Sequence, residues 1–460
     1  MIRAVIPPSV LNLKHFFYAW YGAVKYAHPS EKLYVVGVTG TSGKSSTIYL
    51  LRQIFEEAGY RVGSLSTVDF YVDGEQQMND RKMTMLGRMD TQRYLRRMVD
   101  QGCDIAIIEA TSEGAVQHRH RFINFDMMIL TNLYPEHIES HGSFENYKKA
   151  KQSIFCHVAK SPRKKTSKLS STLQKCFGPD VEKIIIVNGN SEHSRAMLSY
   201  GFEKRVAFGR GDSEWLVPKS QTRLEVKAEQ ISIGARGITF NIDDTDMSVQ
   251  MYGEYNIMNI LAAVAAARSL HIAPEVIKLA VSQFQGVPGR IEFIPEARAF
   301  GFDVVVDYAF EPVAMEELYK AVTLLEPKRI IHVLGSTGGG RDKARRFSVG
   351  EMVGKRADIC IVTNEDPYDD DPVQIIEDVA HAIASQGKVL DETLFQILDR
   401  REAVLKAVEL AEPGDIILLS GKGSEQKMCV AGGKMIDWDD REVVRESLAR
   451  LSDDSYVTKR

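Results

Sequence analysis

Residues 36–46 read Val36-Gly37-Val38-Thr39-Gly40-Thr41-Ser42-Gly43-Lys44-Ser45-Ser46. The apolar run that leads into this stretch predicts a buried strand, and the apolar periodicity of 45–55 predicts a helix after it. A glycine-rich turn between a strand and a helix binds phosphate, because main-chain N–H groups and the positive end of the helix dipole converge there. Lys44 adds a mobile positive charge, and the Ser45 hydroxyl suits Mg²⁺. The alternative interpretation is a tight strand-to-helix turn with a surface lysine. The stretch also departs from the common phosphate-loop pattern, because Val38 stands where that pattern has glycine.

The composition indicates an ordinary globular protein. A chain of 460 residues is long enough for two or three domains, and its 44% hydrophobic and 26% charged residues are typical of soluble proteins. A net charge of −4 gives no indication of nucleic-acid binding. The five cysteines contain no Cys-x-x-Cys pair, which predicts thiols in a reducing compartment, neither a zinc site nor a disulfide framework.

No apolar run reaches the roughly 18 residues of a membrane span, and no signal-peptide pattern opens the chain. We therefore expect a cytoplasmic protein. Residues 10–27 predict a short aromatic helix that ends at Pro29. One interpretation docks this helix on the next domain. The other places it at the inner face of the membrane, because Trp and Tyr favour that boundary and Lys14 and Lys25 suit anionic lipid.

Strands and helices alternate twice along the chain. The first series has strands at 34–38, 61–67, 104–109 and 126–131 and helices at 44–58 and 90–101. The second series has strands at 304–307, 330–334, 359–362 and 416–420. Such alternation predicts an α/β fold with doubly wound parallel sheets, whose ligands bind at the carboxyl ends of strands. The Lys-, Ser- and Thr-rich segment 160–182 between them predicts a mobile surface loop.

The sequence breaks at Val287-Pro288-Gly289-Arg290, where proline and glycine interrupt regular structure. We therefore expect three segments. Residues 1–32 form the short aromatic helix segment. Residues 33–289 form a central P-loop ATP-binding domain, and residues 290–460 form a smaller Rossmann-like C-terminal domain.

Several side chains carry candidate chemistry. Glu109 ends an apolar strand beside the phosphate loop and suits Mg²⁺, although a solvated strand-end acid is the alternative. His137 and His141 lie four apart in a predicted loop, where histidines are more often structural, and no cysteine or third histidine completes a zinc site. By composition alone, Lys151 on the helix that follows would be an ordinary surface lysine. The glycine-rich stretch 335–343 after a strand of the second domain is a weak anion-binding signal.

Taken together, these motifs resemble the Mur ligase family, ATP-dependent amide ligases of cell-wall peptide synthesis. The branch most similar in its motifs is the MurE type, which adds the third amino acid to UDP-N-acetylmuramoyl-dipeptide. The resemblance runs from about residue 33 to the C-terminus. It implies ATP-binding residues in the phosphate loop at Gly40, Thr41, Gly43, Lys44, Ser45 and Ser46. It further implies an adenine contact at Asn259 and nucleotide contacts at Arg290, Asp307 and Tyr308.

The resemblance also implies metal and catalytic residues. Glu109 matches the family's glutamate ligand of Mg²⁺, and Ser45 shares that ion. His137 matches a ligand of a second Mg²⁺, and Lys151 matches the lysine that the family carbamylates into another ligand. Lys44, His137 and Lys151 are then the catalytic residues.

Substrate contacts follow in the same way. The resemblance implies that the muramoyl-peptide acceptor is contacted by Thr84, Ser112, Gln117 and Arg119. It implies that the incoming amino acid is contacted by Arg341, Asp366, Tyr368, Gly421 and Glu425. The sequence departs from the family at Glu113, Phe310 and Ser424.

One departure bears on the amino acid. Family members that add diaminopimelate carry an arginine where this chain has Tyr368, and tyrosine cannot make a bidentate carboxylate clamp. Asp369, Asp370 and Asp371 lie beside it and favour a cationic end, which makes a diamino acid such as lysine the hypothesis.

A second departure bears on the acceptor. The family's N-terminal UDP-binding domain has roughly a hundred residues, a usual small-domain size, and residues 1–32 stand in its place here. The expected activity is ATP-dependent ligation through an acyl phosphate in peptidoglycan biosynthesis, cell shape and cell division, by a monomer or a dimer. Alternatives are a ligase for a lipid-linked unit, a folate polyglutamate chain or a storage polypeptide, or a nucleotide-binding scaffold.

Overall fold

A computed structural model describes residues 8–81, 83–136, 141–340 and 343–457. The chain divides into two compact units. The first extends to Met251 and includes Tyr255–Gln285, and the second contains Tyr252–Glu254 and the chain from Gly286 onward. Each unit has its own central sheet. Within the described ranges, no helix is both long and apolar enough to cross a membrane.

An eleven-stranded sheet forms the centre of the first unit. Its strands in chain order are β1 Tyr34–Thr39, β2 Val62–Leu65, β3 Asp69–Val72, β4 Glu75–Met78, β5 Ile105–Glu109, β6 Met127–Leu130, β7 Ile184–Asn188, β8 Lys204–Arg210, β9 Leu224–Gly234, β10 Gly237–Ile242 and β11 Thr245–Val249. Their order in space is β11-β10-β9-β8-β7-β6-β1-β5-β2-β3-β4. The seven strands from β9 to β2 in that order are parallel, and antiparallel hairpins extend both edges.

Strand β1 lies in the middle of the parallel part and all six of its residues are buried. It pairs with β5 on one side and β6 on the other, so the chain crosses from one side of β1 to the other between those strands. Gly37 is needed in this strand, because a Cβ there would lie 2.5 Å from the sulfur of Met128. A crossing of this kind opens a crevice at the carboxyl ends of the strands, where ligands bind.

Helices cover both faces of this sheet. They are α1 Pro8–Lys25, α2 Lys44–Glu57, α3 Arg88–Asp100, α4 Ser112–Val116, α5 Phe144–Lys160, α6 Ser171–Gln174, α7 Ser194–Leu198, α8 Tyr255–Ser269 and α9 Pro274–Ser282. Helix α8 is apolar on nearly every side because it packs both on α2 and on the strands β7, β8 and β9. Helix α1 packs on α3 through the fully buried Ala19 and Ala23.

The segment 160–182 is not the surface loop that its composition predicts. Leu169 and Leu173 are buried, and Lys164 has no exposed side-chain surface. The Lys164 ammonium pairs with the Asp126 carboxylate and donates to the carbonyl of Leu33 at 2.7 Å. Burial lowers the pKa of Lys164 to about 8, although the carboxylate of Asp126 opposes this. The prediction was wrong because a few apolar residues and one buried ion pair anchor an otherwise polar segment.

The second unit has a six-stranded sheet. Its strands are β12 Glu292–Phe293, β13 Asp303–Val306, β14 Ile330–Leu334, β15 Ile359–Thr363, β16 Leu394–Ile397 and β17 Ile416–Leu419, in the order β12-β13-β17-β14-β15-β16. All pairs are parallel except β12 with β13. A separate hairpin has strands β18 Lys427–Val430 and β19 Lys434–Asp437.

Five helices accompany this sheet. They are α10 Pro312–Thr323, α11 Ala344–Arg356, α12 Pro372–Ala384, α13 Arg400–Leu410 and α14 Asp440–Val457. Two apolar cores result. One packs α10, α11 and α12 against the sheet, and the other packs α13 and α14. The carboxyl ends of β14, β15 and β17 therefore meet at one edge, as parallel strands require.

Candidate active site

The phosphate loop joins β1 to α2, and neighbouring side chains lie so close to it that only glycine fits at Gly43. Gly43 has φ 76°, and a Cβ there would lie 2.0 Å from Oδ1 of Asn259. Helix α2 begins at Lys44, so the N–H groups of its first turn, which includes Ser45 and Ser46, point out of its N-terminal end. The Lys44 ammonium donates to the carbonyl oxygens of Gly40 at 3.2 Å and Thr41 at 2.9 Å. A backbone nest with one mobile cation suits polyphosphate.

Asn132, which follows β6, holds the loop in shape. Its Oδ1 accepts from the main-chain N–H groups of Thr41 at 3.0 Å and Ser42 at 2.9 Å. The neighbouring Thr131 donates its hydroxyl to the Ser42 carbonyl at 2.7 Å. Because the carboxyl ends of parallel strands share one edge, Asn132 at the end of β6 is expected beside the loop. The contact spans 91 residues, and the side-chain type alone does not predict it.

Glu109, at the end of β5, lies directly across from the start of α2. The Ser45 hydroxyl donates to Glu109 Oε2 at 3.0 Å, and the main-chain N–H of Thr67 donates to the same oxygen at 2.7 Å. The Thr67 hydroxyl donates to Oε1 at 3.0 Å. The structure therefore brings together the two residues that the sequence paired as magnesium ligands, and it adds Thr67, which the sequence did not single out.

These oxygens fit Mg²⁺. The ion takes oxygen ligands and usually binds through one or two protein groups together with substrate phosphates and water. Glu109 is 2% exposed, and its carboxylate lacks a cationic partner among the described side chains. Within the same residues, no group of three His, Cys, Asp or Glu side chains forms a metal cage. A site of this kind would be completed by the nucleotide.

Lys151 is a buried lysine whose charge is only partly offset by the carboxylates of Glu136 and Glu109. It is 1% exposed, its ammonium donates to the Gly40 carbonyl at 2.8 Å, and it lies 4.7 Å from the ring centroid of Tyr147. Burial and then the charge of Lys44 hold its pKa well below the ordinary range. The side chain is thus no surface lysine, as composition alone suggested. His137, the other catalytic candidate of this region, lies outside the described residues.

Two of the predicted acceptor residues meet at the end of helix α4. Arg119 donates to Gln117 Oε1 at 2.8 Å and also to the carbonyl of Met85, the residue after Thr84. Arg88, which sequence reasoning missed, donates from Nε to the Gln117 carbonyl at 2.8 Å. Two guanidinium groups therefore share one glutamine.

Ser112, the fourth predicted acceptor residue, lies at the start of helix α4. Its hydroxyl lies 3.1 Å from Nε2 of His141, and burial is the main reason why the pKa of that histidine is lowered. His141 also contacts the ring of Tyr147, whose hydroxyl donates to Thr41 of the phosphate loop at 3.0 Å. Contacts thus run from the predicted acceptor region to the phosphate loop.

In the second unit, the predicted nucleotide contacts cluster around Asp307. Its carboxylate accepts from the main-chain N–H groups of Ile291 at 2.7 Å and Ala309 at 2.6 Å, and burial raises its pKa despite the charge of Arg290. The Arg290 guanidinium stacks 4.2 Å from the ring centroid of Tyr308. Their contact with a nucleotide stays a prediction.

The predicted amino-acid residues Asp366 and Glu425 share a buried lysine. Lys422 donates to both carboxylate oxygens of Asp366 at 3.2 Å and to Glu425 Oε2 at 2.6 Å. The N–H of Cys429 also donates to Asp366 at 2.6 Å. Asp366 is therefore already neutralised within the unit. Arg341, predicted for the same substrate, lies outside the described residues.

Tyr368 and the three aspartates after it also have structural contacts. Tyr368 has φ 53°, and its ring lies against Gly339, where a Cβ would approach within 2.8 Å. Asp369 accepts from the Gly432 N–H at 2.8 Å, Asp370 contacts Arg346 at 3.4 Å, and Asp371 caps α12 through the Val373 N–H at 2.9 Å. The three aspartates are thus not a free acidic patch for a cationic substrate, because each carboxylate already has a partner within the second unit.

A small pocket opens at the carboxyl edge of the second sheet. Its lining includes Gly335, Arg345, Phe310, Gly421 and Glu365. Glu365 is 3% exposed, and its Oε2 has no hydrogen-bond partner among the residues that the structure describes. Burial raises the pKa of Glu365 to about 7. A Cβ on Gly421 would lie 2.3 Å from that oxygen, so only glycine fits beside it. The sequence alone assigns Glu365 no function.

Comparisons with known proteins match this geometry. The Mur ligase middle domain matches residues 38–267, and the Mur ligase glutamate ligase domain matches residues 289–423. UDP-N-acetylmuramyl-tripeptide synthetase of Roseiflexus sp. (strain RS-1) is 33% identical over 436 residues, covering 93% of this chain and 81% of that protein. UDP-N-acetylmuramoyl-L-alanyl-D-glutamate--2,6-diaminopimelate ligase 1 of Clostridium acetobutylicum is 30% identical over 434 residues, covering 94% of this chain and 81% of that protein.

Solved structures show the same fold. A UDP-N-acetylmuramoyl-L-alanyl-D-glutamate--2,6-diaminopimelate ligase superposes with a TM-score of 0.58 at 24% identity, covering 92% of this chain and 79% of that one. Folylpolyglutamate synthase of Mycobacterium tuberculosis superposes with a TM-score of 0.66 at 14% identity, covering 95% of this chain and 94% of that one. The predicted α/β class, with a P-loop central domain and a smaller Rossmann-like domain, is confirmed.

Proposed function

Because the chain belongs to the Mur ligase family of ATP-dependent ligases, we propose that it joins an amino acid to a carboxylate of a muramoyl-peptide acceptor in peptidoglycan synthesis. The observation that carries the proposal is the phosphate loop with Lys44, Ser45 and Glu109 held together at the end of β1. The names of the two relatives, a muramyl-tripeptide synthetase and a muramoyl-peptide ligase, support this class of acceptor.

The reaction follows from what these side chains can do. An oxygen of the acceptor carboxylate attacks the γ-phosphorus of ATP, the bond to the β–γ bridging oxygen breaks, and ADP leaves. Lys44 and the N–H groups at the start of α2 stabilise the charge on the transferring group. The amine of the amino acid then attacks the acyl carbon and phosphate departs, which leaves an amide. When bound at Ser45 and Glu109, Mg²⁺ would neutralise phosphate charge.

Lys151 supports a further element of the proposal, its carbamylation. A neutral amine, and not an ammonium, adds to carbon dioxide, and the lowered pKa of Lys151 favours the neutral form. The product is a carbamate with two oxygens, which would provide a second Mg²⁺ ligand near the Gly40 carbonyl that Lys151 contacts. His137 completes the proposed second site by resemblance alone.

We propose a diamino acid as the amine substrate, and Glu365 is its support. An ammonium group in the pocket would supply the partner that Glu365 Oε2 lacks and would favour the ionised carboxylate. Tyr368 gives no bidentate clamp for a distal carboxylate, which favours lysine over diaminopimelate. Asp366 and the aspartates 369–371 no longer support this choice, because they already have partners.

A matrix of acceptors and amino acids tests the proposed function. Purified protein is given ATP, Mg²⁺ and each pair of UDP-muramoyl-dipeptide, its UDP-free form or a folate with lysine, diaminopimelate, alanine or glutamate. Release of ADP and phosphate that requires both the muramoyl acceptor and lysine is expected. Turnover with the folate alone, or with diaminopimelate and not lysine, contradicts the respective part of the proposal.

A further inference from the structure

Helix α1 has two faces of opposite character. On one face, Ala19 and Ala23 are buried against α3, and a Cβ added at Gly22 would lie 3.3 Å from the Cα of Met89. The opposite face presents large apolar side chains at helical spacing. These are Val10, Leu13, Phe17, Trp20, Tyr21 and Val24, which we call the apolar stripe.

The apolar stripe is exposed and organised. Leu13 is 70% exposed, Phe17 52% and Trp20 44%. The Phe17 ring lies 5.7 Å from the Trp20 ring and 6.2 Å from the Tyr21 ring, so the aromatic groups already form one surface. Contiguous exposed apolar surface of this kind marks an interaction site.

Lysines border the stripe along one edge. Helix α1 contains no Asp or Glu, and helical spacing puts Lys14 and Lys25 along one edge. Along the other edge, Phe16 contacts the rings of His118 and Phe122. Lys14 and Lys25 therefore form the cationic border of the stripe.

We propose that the apolar stripe and its cationic border bind α1 to the surface of a bilayer rich in anionic phospholipid. An anionic bilayer offers apolar depth and phosphate together, which are the two chemistries that this surface presents. Phe, Trp and Tyr enter the boundary between acyl chains and headgroups, and Lys and Arg meet the phosphates. A second copy is a poorer partner, because a two-fold contact through this face would oppose the same cationic borders.

Vesicle binding of the full chain tests the proposal. Wild type should float with vesicles of phosphatidylglycerol and phosphatidylcholine, far less with phosphatidylcholine alone, and less at high salt. The variant Phe17→Ser with Trp20→Ser should bind at least about tenfold more weakly. Lys14→Glu with Lys25→Glu should lose the preference for anionic lipid. Val313→Ser, at an exposed valine of the second unit, is the matched control and should bind as wild type does.

Three results overturn the proposal. They are equal flotation of wild type and the Phe17/Trp20 variant, equal binding to anionic and neutral vesicles, and an oligomer without vesicles that the Phe17/Trp20 variant converts to monomer. Circular dichroism and ADP release should be the same in wild type and in the variants, because neither variant touches the phosphate loop. The proposal is thus separable from the proposed ligase activity, which can fail without affecting vesicle binding.

Discussion

The side-chain nitrogen of Lys151 lies 2.8 Å from the carbonyl oxygen of Gly40, where it is almost fully buried. This contact ties a lysine of helix α5 to the first glycine of the phosphate loop, 111 residues earlier in the chain. Burial and then the charge of Lys44 outweigh the opposing carboxylates of Glu136 and Glu109, which is why the neutral amine is favoured. The chemistry expected of this amine can be measured directly.

Lys151→Ala should reduce ADP release by about 10²-fold or more, because a charged or carbamylated group beside the transferring phosphoryl is removed. In wild type, ¹³C-labelled bicarbonate should give a carbamate carbon signal that is absent in the variant. Lys149→Ala, at an exposed lysine of the same helix, is the control and should keep both activity and signal. An identical signal in Lys151→Ala would remove the modification from this residue.

Lys44→Ala should lower turnover by about 10² to 10³-fold, because the Lys44 ammonium at the loop stabilises negative charge on the transferring phosphoryl group. The measurement is acceptor-dependent ADP release, with folding followed by circular dichroism. Lys44→Arg keeps the charge but not the compact ammonium, and we expect intermediate activity. Wild-type rates in Lys44→Ala contradict the assignment of the loop.

Glu109→Gln should raise the Mg²⁺ concentration needed for half-maximal turnover, by roughly 10 to 100-fold. The amide keeps the size of the side chain but loses its negative charge, and hydrogen bonds from Ser45 and Thr67 hold the group in place. Thr67→Val removes one hydroxyl contact at 3.0 Å and should have a smaller effect. Equal Mg²⁺ dependence in wild type and Glu109→Gln would place the metal elsewhere.

Glu365 predicts a pH dependence of stability. Its pKa rises from an ordinary 4.5 to about 7 in the folded chain, so the folded state favours the protonated form. The free energy of unfolding of the second unit should therefore fall as the pH rises from about 4.5 to about 7, by about 3 kcal/mol, and stay level above that. Urea unfolding of wild type and Glu365→Gln at pH 5 and pH 8 measures this. The difference between the two proteins should change with pH, and a constant difference would show that the carboxyl ionises normally.

Asp371→Ala should reduce the free energy of unfolding by about 1 kcal/mol, because the carboxylate caps helix α12 through the Val373 N–H. The KM for the amino acid should stay the same, since the carboxylate serves the helix. Asp371→Asn, which can still accept the bond, should restore most of the stability. A large rise in KM without loss of stability would return Asp371 to the substrate site.

The local part of the site could be predicted from sequence. The strand β1, the glycine loop and helix α2 follow one another along the chain, and the pattern of apolar and small residues specifies all three. Glu109 could also be placed, because it ends an apolar strand and the carboxyl ends of parallel strands share one edge. Lys151 could be placed only by resemblance, since composition predicts a surface lysine.

The contacts between distant segments could not be predicted. Thr67 reaches Glu109 across 42 residues, and Asn132 reaches the phosphate loop across 90 or more. No local pattern marks either side chain for its partner. Strand β4 was missed because its residues, Glu75–Met78, are polar and largely exposed at the edge of the sheet. The burial of Glu365 was missed because it depends on Gly421, which comes from a different strand.

The central position of β1 has a consequence for how the first unit loses its structure. Neighbouring strands cover both edges of β1, and Asn132 holds the loop that follows. The amide hydrogens of β1 should therefore exchange with solvent only in the globally unfolded chain. The polar edge strand β4 has one neighbour and should open far more often. Local unfolding at the edge of the sheet should thus leave the strand and loop where the phosphate is expected to bind intact.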